Sequence, residues 1–158
     1  MNSLPYRPNV CMLIYNPQYR LFLGERANSP GVWQFPQGGV EESSSLEENV
    51  LRELQEELGA DAEKFRIVTR LQATHQYEFA TPPPYAIGRW IGQQQTFWVV
   101  KFLGTDRDIQ LDRYHPELGA WKWCSSDEVP KVAEPRRLSG YLPALKEFEA
   151  LLQSGALP

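Results

Sequence analysis

Residues 44–60 constrain the fold of this chain more than any other segment. Leu46, Val50, Leu51, Leu54 and Leu58 recur at three- and four-residue intervals, after a run of serines and before Gly59. That spacing predicts a helix from about Ser45 to Leu58 with one apolar stripe. Ser44-Ser45-Leu46-Glu47 and Ser45-Leu46-Glu47-Glu48 both have the form of a capping box at its start. A stripe of this kind has to be buried against another element.

The chain around it supplies strands for that purpose. Val10 to Tyr15 is a short apolar run, and Arg20 to Leu23 alternates after the turn residues Asn16-Pro17-Gln18, so the two read as a hairpin. Ala27 to Gly31 is a loop by composition, followed by Trp33-Gln34-Phe35-Pro36 and the pair Gly38-Gly39. Phe65 to Leu71, Thr96 to Phe102 and Trp121 to Cys124 are expected strands. Gly140 to Gln153 is an expected helix with Leu142, Leu145, Phe148, Leu151 and Leu152 on its buried stripe. The segment between the strands at 71 and 96 holds Tyr77, Phe79, Pro82-Pro83-Pro84, Tyr85 and Trp90, and a loop of that length in a small domain tends to carry function. Strands interleaved with two helices predict an α+β fold, a mixed sheet with helices packed on it, in one domain over residues 1–158. Trp33, Phe35, Phe97 and Trp98 fall in the strand-like segments, where packing is the expected role.

The polar side of the helix is less ordinary. Glu53, Glu56 and Glu57 stand at i, i+3 and i+4, within about 100° of arc, where like charges oppose one another by a few tenths of a kcal/mol per pair. An acidic helix face taken alone is usually a solvated one. A divalent cation would relieve the crowding, and carboxylate oxygens are hard ligands that suit Mg²⁺ first and Mn²⁺ next. The frame favours that second reading, with a glycine pair fourteen residues before Arg52 at its first member and Gly59 two residues after Glu57.

Composition sets limits on partners. Sixteen Lys+Arg against twenty Asp+Glu give a net charge of −4, which excludes binding duplex DNA or coating RNA by bulk attraction. No stretch approaches the ~18 apolar residues of a membrane span, and the first ten residues lack the pattern of a signal peptide, so a cytoplasmic protein is expected. Cys11 and Cys124 each lie in an apolar stretch, as reduced interior thiols do.

The segment Gly38 to Ala60 resembles the signature of the Nudix hydrolases. Gly38, Arg52, Glu53, Leu54, Glu56, Glu57, Gly59 and Ala60 stand at its positions, with Ala60 small where an aliphatic residue is usual. Ser44 departs, since the family carries its first glutamate there, and that glutamate helps to fix the loop and the arginine. Glu41 or Glu42 could partner Arg52 in its place, and Ser44 could act as a helix cap. Tyr6-Arg7-Pro8-Asn9-Val10, Trp33 to Gly39 and Ile91 to Gln95 extend the likeness over residues 5–150. There the chain is similar to one subgroup, the bacterial RNA pyrophosphohydrolases and related dinucleoside polyphosphate hydrolases.

The resemblance implies an α/β/α sandwich around a mixed sheet with a loop-helix-loop site, and an enzyme that hydrolyses phosphoanhydrides. It implies Glu53, Glu56, Glu57 and the backbone of Gly38 around two or more Mg²⁺ ions, with Arg52 beside them. A further acid usually comes from a later loop, and Glu117 is the candidate, with an ordinary exposed loop carboxylate as the competing reading. Arg7, Arg26, Gln37, Gly38, Gly39, Gln95 and Lys101 are candidate substrate contacts. Arg7 is suited to a phosphate or a base, while for Arg26 and Arg89 a surface salt bridge competes. His75 and His115 read first as local hydrogen-bonding residues, and the aromatic segment 77–90 offers faces for nucleobases. The implied substrate is a 5′-triphosphate RNA end, in mRNA decay, with dinucleoside polyphosphates or free (d)NTPs as alternatives on the same site. A binding module without hydrolysis is the alternative of another class, and monomer and homodimer stay open.

Overall fold

The apolar stripe of the predicted helix lies on a mixed sheet, and the sheet is covered on its other face by a second helix. The computed structural model describes residues 4–114 and 116–158. In chain order the elements are β1 (Tyr6–Tyr15), β2 (Leu21–Arg26), β3 (Trp33–Gln34), β4 (Gln37–Gly39), α1 (Leu46–Leu58), β5 (Phe65–Glu78), β6 (Gly92–Phe102), β7 (Leu118–Cys124), α2 (Val129–Val132) and α3 (Leu138–Gln153). Strand order is β3, β2, β1, β6, β5, with β4 pairing with β1 and β7 with β2. The β1–β6 pairing is parallel and the rest are antiparallel.

β1 is buried on both faces, which is why it reads as an unbroken apolar run rather than an alternating one. Val10, Met12 and Ile14 pack with Val50, Leu54 and Leu58 of α1. Cys11, Leu13 and Tyr15 point the opposite way and pack with Tyr141, Ala144, Leu145 and Phe148 of α3. The result is the expected sandwich. Both cysteines are free and buried, and among the described residues no helix is long and apolar enough to cross a membrane.

Helix α1 starts on Ser45, whose hydroxyl accepts from the Glu48 amide at 3.1 Å while the Glu48 carboxylate accepts from the Ser45 amide at 3.1 Å. Of the two candidate capping boxes, the one beginning at Ser45 forms, and Ser44 is not the cap. The helix stops at Gly59, which takes the left-handed conformation at φ 74°. A Cβ there would run into the backbone carbonyl of Gln110, so both the conformation and the close approach require glycine.

Three details differ from the sequence expectation. β5 and β6 extend to Glu78 and back to Gly92, so the supposed loop between 71 and 96 shrinks to residues 79–91. The extension is hard to see because β5 alternates half-buried Ala73, His75 and Tyr77 with exposed Gln72, Thr74, Gln76 and Glu78, few of them apolar. Leu142 faces solvent at 48% exposure, and the buried stripe of α3 runs instead through Gly140, Tyr141, Ala144, Leu145 and Phe148. The short helix α2 has no signal in the sequence reading.

One contact ties α3 to the strand pair that carries the site. The Tyr141 hydroxyl accepts from the buried Phe35 amide at 3.0 Å, and the rings of the two residues lie 4.5 Å apart. Tyr141→Phe leaves that amide without its partner, and the expected loss is about 1–3 kcal/mol. Equilibrium denaturation with an unchanged m-value measures it.

Candidate active site

The site is assembled where α1 passes over β4. Gly38 and Gly39 pair with Val10 and Asn9 of β1, which holds β4 flat beneath the helix. Glu53 projects onto Gly38 so closely that a Cβ there would land inside its carboxylate. One turn on, Glu57 is 6% exposed, and Glu117 reaches it from the loop before β7. The carbonyl of Glu117 accepts from the Ala27 amide at 3.0 Å, which fastens that loop to the end of β2. Glu53, Glu57 and Glu117 thus come together, and Glu56 stays at the rim with its side chain 51% exposed, 3.6 Å from Arg52 Nη1.

Three carboxyls in one half-buried place perturb each other. Burial pushes the Glu53 carboxyl up to about 7; Arg52 acts in the opposite direction, while Glu56 and Glu117 add to the rise. Glu57 is raised well above the usual carboxylate range, first by burial and then by Glu117 and Glu53, although the backbone of Gln37 favours its charged form. The neighbouring Glu117 side chain therefore works with burial to favour the protonated form of Glu57. The Glu57 Oε2 atom is buried and has no hydrogen-bond partner.

Arg52 has the partners needed to hold it still. Nη1 donates to Glu53 Oε1 at 2.9 Å, and Nη2 donates to Asn49 Oδ1 at 2.7 Å and to the Gly39 carbonyl at 3.2 Å. Glu41 Oε1 is 3.7 Å from Nε, so Glu41 assists but is not the main partner, and Glu42 makes no ion pair with it among the described residues.

The candidate substrate contacts separate into those near this place and those away from it. The Arg7 guanidinium packs on Gly39 and lies 4.7 Å from the centre of the Tyr85 ring. Arg7, Val40, Glu41, Tyr85, Arg89 and Trp90 line an open cavity of about 460 Å³ walled by the segment between β4 and α1. Gln37 Oε1 accepts from Gln95 Nε2 at 2.9 Å, and the same Nε2 donates to Asn9 Oδ1 at 3.0 Å, so Gln37 and Gln95 form a polar bridge across β4, β1 and β6. Arg26 ends β2 opposite Leu118, one residue from Glu117. Lys101 is not brought to the site. It sits near the far end of β6, paired with Tyr15 and Arg66 and six residues, about 20 Å, along the strand from Gln95. His75 packs its ring on Gly140 of α3, where burial lowers its pKa, and His115 lies outside the described residues. The aromatic segment closes over the same cavity, with Tyr77 donating to Gln93 and Gln93 to Tyr85.

Two largely buried polar residues carry no clear signal in the sequence, and the first of them lies beside Arg52. Asn49 is completely buried in the first turn of α1, and its only signal was a polar residue set against the apolar stripe. Arg137 is largely buried beside Cys11, Tyr77 and Tyr141 and pairs with Glu134 at 2.9 Å.

The carboxylates suit a hard cation by their chemistry, and the unpartnered Glu57 Oε2 and the Glu53 carboxylate lying on bare Gly38 backbone leave donors to offer one. They do not form a finished cage. Among the described residues no group of three His, Cys, Asp or Glu side chains closes to ligating distance around one point.

Comparison with known proteins agrees with this geometry. The NUDIX domain family matches residues 5–145. An RNA pyrophosphohydrolase of Wolbachia pipientis is 34% identical over 149 residues, covering 94% of this chain and 92% of the relative. One of Novosphingobium aromaticivorans is 36% identical, covering 95% and 96%. In three dimensions the chain is similar to a Caenorhabditis elegans Ap4A hydrolase, with TM-score 0.65 and 23% identity over 92% of this chain and 98% of that one. It is also similar to the Escherichia coli dihydroneopterin triphosphate pyrophosphohydrolase, with TM-score 0.67 and 21% identity over 91% and 97%. The chain belongs to the Nudix family.

Proposed function

We propose that this protein is a divalent-cation-dependent pyrophosphohydrolase whose substrate is the 5′-triphosphate end of RNA. One water is consumed, the anhydride between the α and β phosphates breaks, and pyrophosphate leaves a 5′-monophosphate behind. The observation that carries the reading is the buried Glu57 carboxyl, with one oxygen unpartnered, crowded against Glu53 and Glu117 over bare glycine backbone. Buried carboxyls without basic partners are costly to keep unless a ligand uses them.

Glu53, Glu57 and Glu117, with Glu56 at the rim, are the residues that would hold Mg²⁺ or Mn²⁺, and the Gly38 backbone is close enough to contribute. When bound, such ions lower the pKa of a coordinated water and neutralise charge on the phosphate oxygens. The chain's own residues do the rest. Arg52 keeps the Glu53 carboxylate turned toward Gly38. Glu57, whose protonated form is favoured by burial and by the neighbouring Glu117 and Glu53, must lose its proton before it can act as an anionic ligand. Arg7, with Arg26 near the Glu117 loop, supplies cations for phosphates in an otherwise acidic protein. Tyr85 and Trp90 offer faces to a base, a contact worth ~1–3 kcal/mol. Gln37 and Gln95 hold the strands beneath the site in register.

The choice of RNA among phosphoanhydride substrates rests on the relatives that share this chain's length and are named RNA pyrophosphohydrolases. The setting in this reading is mRNA decay in the cytoplasm. A competition of 5′-triphosphate RNA with diadenosine tetraphosphate and with free nucleoside triphosphates at equal concentration tests it. The expected result is preferential release of pyrophosphate from RNA, dependent on Mg²⁺. Preference for the dinucleotide or the free nucleotide overturns the substrate, and metal-dependent binding with no product overturns hydrolysis itself.

A further inference from the structure

The loop between β4 and α1, residues 40–45, forms the wall of the Arg7 cavity through Val40, Glu41, Glu42 and Ser43. Beyond the Ser45–Glu48 cap at its last residue, its attachment to the helix runs through the Asn49 side chain. Asn49 Oδ1 accepts from the Glu41 amide at 2.8 Å and from Arg52 Nη2 at 2.7 Å. Asn49 Nδ2 donates to the Ser45 carbonyl at 2.7 Å and lies 3.3 and 3.4 Å from the carbonyls of Glu41 and Ser44. Both halves of the amide are therefore used, in a side chain with no exposure.

From Asn49 the connection continues to the glutamates. The arginine it holds by Nη2 donates through Nη1 to Glu53 Oε1, and Glu53 is the carboxylate that lies on Gly38. The Ser44 side chain makes no hydrogen bond among the described residues. Position 44 is where the resemblance expects a glutamate fixing both loop and arginine, and both contacts are made here by Asn49, five residues later and from inside the helix. Nothing else in the loop provides them, since Glu41 reaches Arg52 only at 3.7 Å with its side chain 59% exposed.

We propose that Asn49 is the positioning residue of this site, taking over from the glutamate absent at position 44 by fixing the 40–45 loop and aiming Arg52, and through it Glu53, at the ligand position. The proposal rests on the metal-dependent reading above. Asn49 touches neither ligand nor substrate, and the effect of losing it passes through Arg52. Outer-shell groups of this kind alter metal affinity or activity by roughly 10–100-fold.

The test measures Mn²⁺ dissociation constants by calorimetry together with kcat and KM on 5′-triphosphate RNA. Asn49→Ala is expected to weaken Mn²⁺ binding and to lower kcat, each by about tenfold or more, with a smaller change in KM. Asn49→Asp keeps an acceptor for Arg52 and the Glu41 amide but sets a carboxylate oxygen against the Ser45, Glu41 and Ser44 carbonyls, and is expected to fall between the wild type and Asn49→Ala in both readouts. Ser44→Glu placed in the Asn49→Ala background is expected to restore at least half of the lost kcat, a coupling that a double-mutant cycle reads directly. Ser45→Ala removes the helix cap at a cost of ~1 kcal/mol and controls for stability, with Mn²⁺ affinity expected to hold. Asn49→Ala with unchanged Mn²⁺ affinity, equal impairment of the Asp and Ala variants, absence of rescue, or equal weakening by Ser45→Ala each overturns the proposal. A wild type that binds Mn²⁺ yet releases no pyrophosphate overturns the functional reading instead, and the Mn²⁺ comparison still decides the role of Asn49.

Discussion

Glu57→Gln is expected to lower kcat by about 10²–10³-fold while making the metal-free protein more stable at pH 8. The two effects have one origin. At neutral pH the wild type must either keep the buried Glu57 and Glu53 carboxyls protonated or accept charge that only Arg52, at Glu53, offsets. Both groups have folded-state values above their ordinary ones. The stability they contribute is therefore fully present below about pH 4.5, the ordinary carboxyl value, and is lost as pH rises, for Glu53 through about 7. For Glu53 alone the loss by pH 8 is on the order of 3 kcal/mol. Glutamine has the same shape and no charge, so Glu57→Gln removes its share of that loss along with the acid. The measurement is a thermal melt in chelator at pH 5 and pH 8. The wild type is expected to melt lower at pH 8, the variant to lose much of the difference, and Mg²⁺ to raise the wild-type midpoint alone. A Glu57→Gln variant with near-normal turnover would remove this residue from the site.

Gly38→Ala is expected to reduce kcat by about 10²-fold, the size of effect that displacing a reacting group by about 1 Å produces. A single methyl group causes it. The added Cβ would occupy the Glu53 carboxylate, and β4 cannot move away because Gly38 and its neighbours are paired with β1. Glu53 therefore has to rotate, which also breaks its contact with Arg52. Since Gly38 is half-buried and has no positive φ, the fold is expected to survive. Circular dichroism together with the Mg²⁺ concentration for half-maximal rate checks this, with a normal spectrum and a raised Mg²⁺ requirement as the expected pair. Wild-type Mg²⁺ dependence would show that Glu53 does not hold the ion.

The parts of this molecule legible in the sequence are those fixed by local periodicity. Helix α1 was readable because its stripe, cap and glycine stop agree within fifteen residues, and its three glutamates followed at once from helical spacing. Glu117 was reachable only through resemblance, since nothing near residue 117 records that the Ala27 amide pins its loop against Glu57. Lys101 lies away from Gln95 because β6 is eleven residues long, so two residues of one strand can serve opposite ends of the sheet. Leu145 and Phe148 lie on the inward face of α3 as their spacing predicts, but Leu142 does not, because that face continues through Gly140, Tyr141 and Ala144, small and aromatic residues that fit against His75 and Phe35. Asn49 was invisible for a different reason. A polar residue at a buried helical position looks like noise in a hydrophobic pattern until the loop it binds is in place.

Cys11 occupies the middle of β1, fully buried beneath α3 with its thiol pushed far up by burial, and Cys124 ends β7 nearer the edge of the sheet. Thiol reagents attack the thiolate, so neither group reacts while its strand is closed. Because β1 carries both helices and pairs with three strands, alkylation at Cys11 times the opening of the whole sandwich, and alkylation at Cys124 times the fraying of its border. The chain thus contains two internal clocks, one for collapse of the scaffold and one for loosening of its margin.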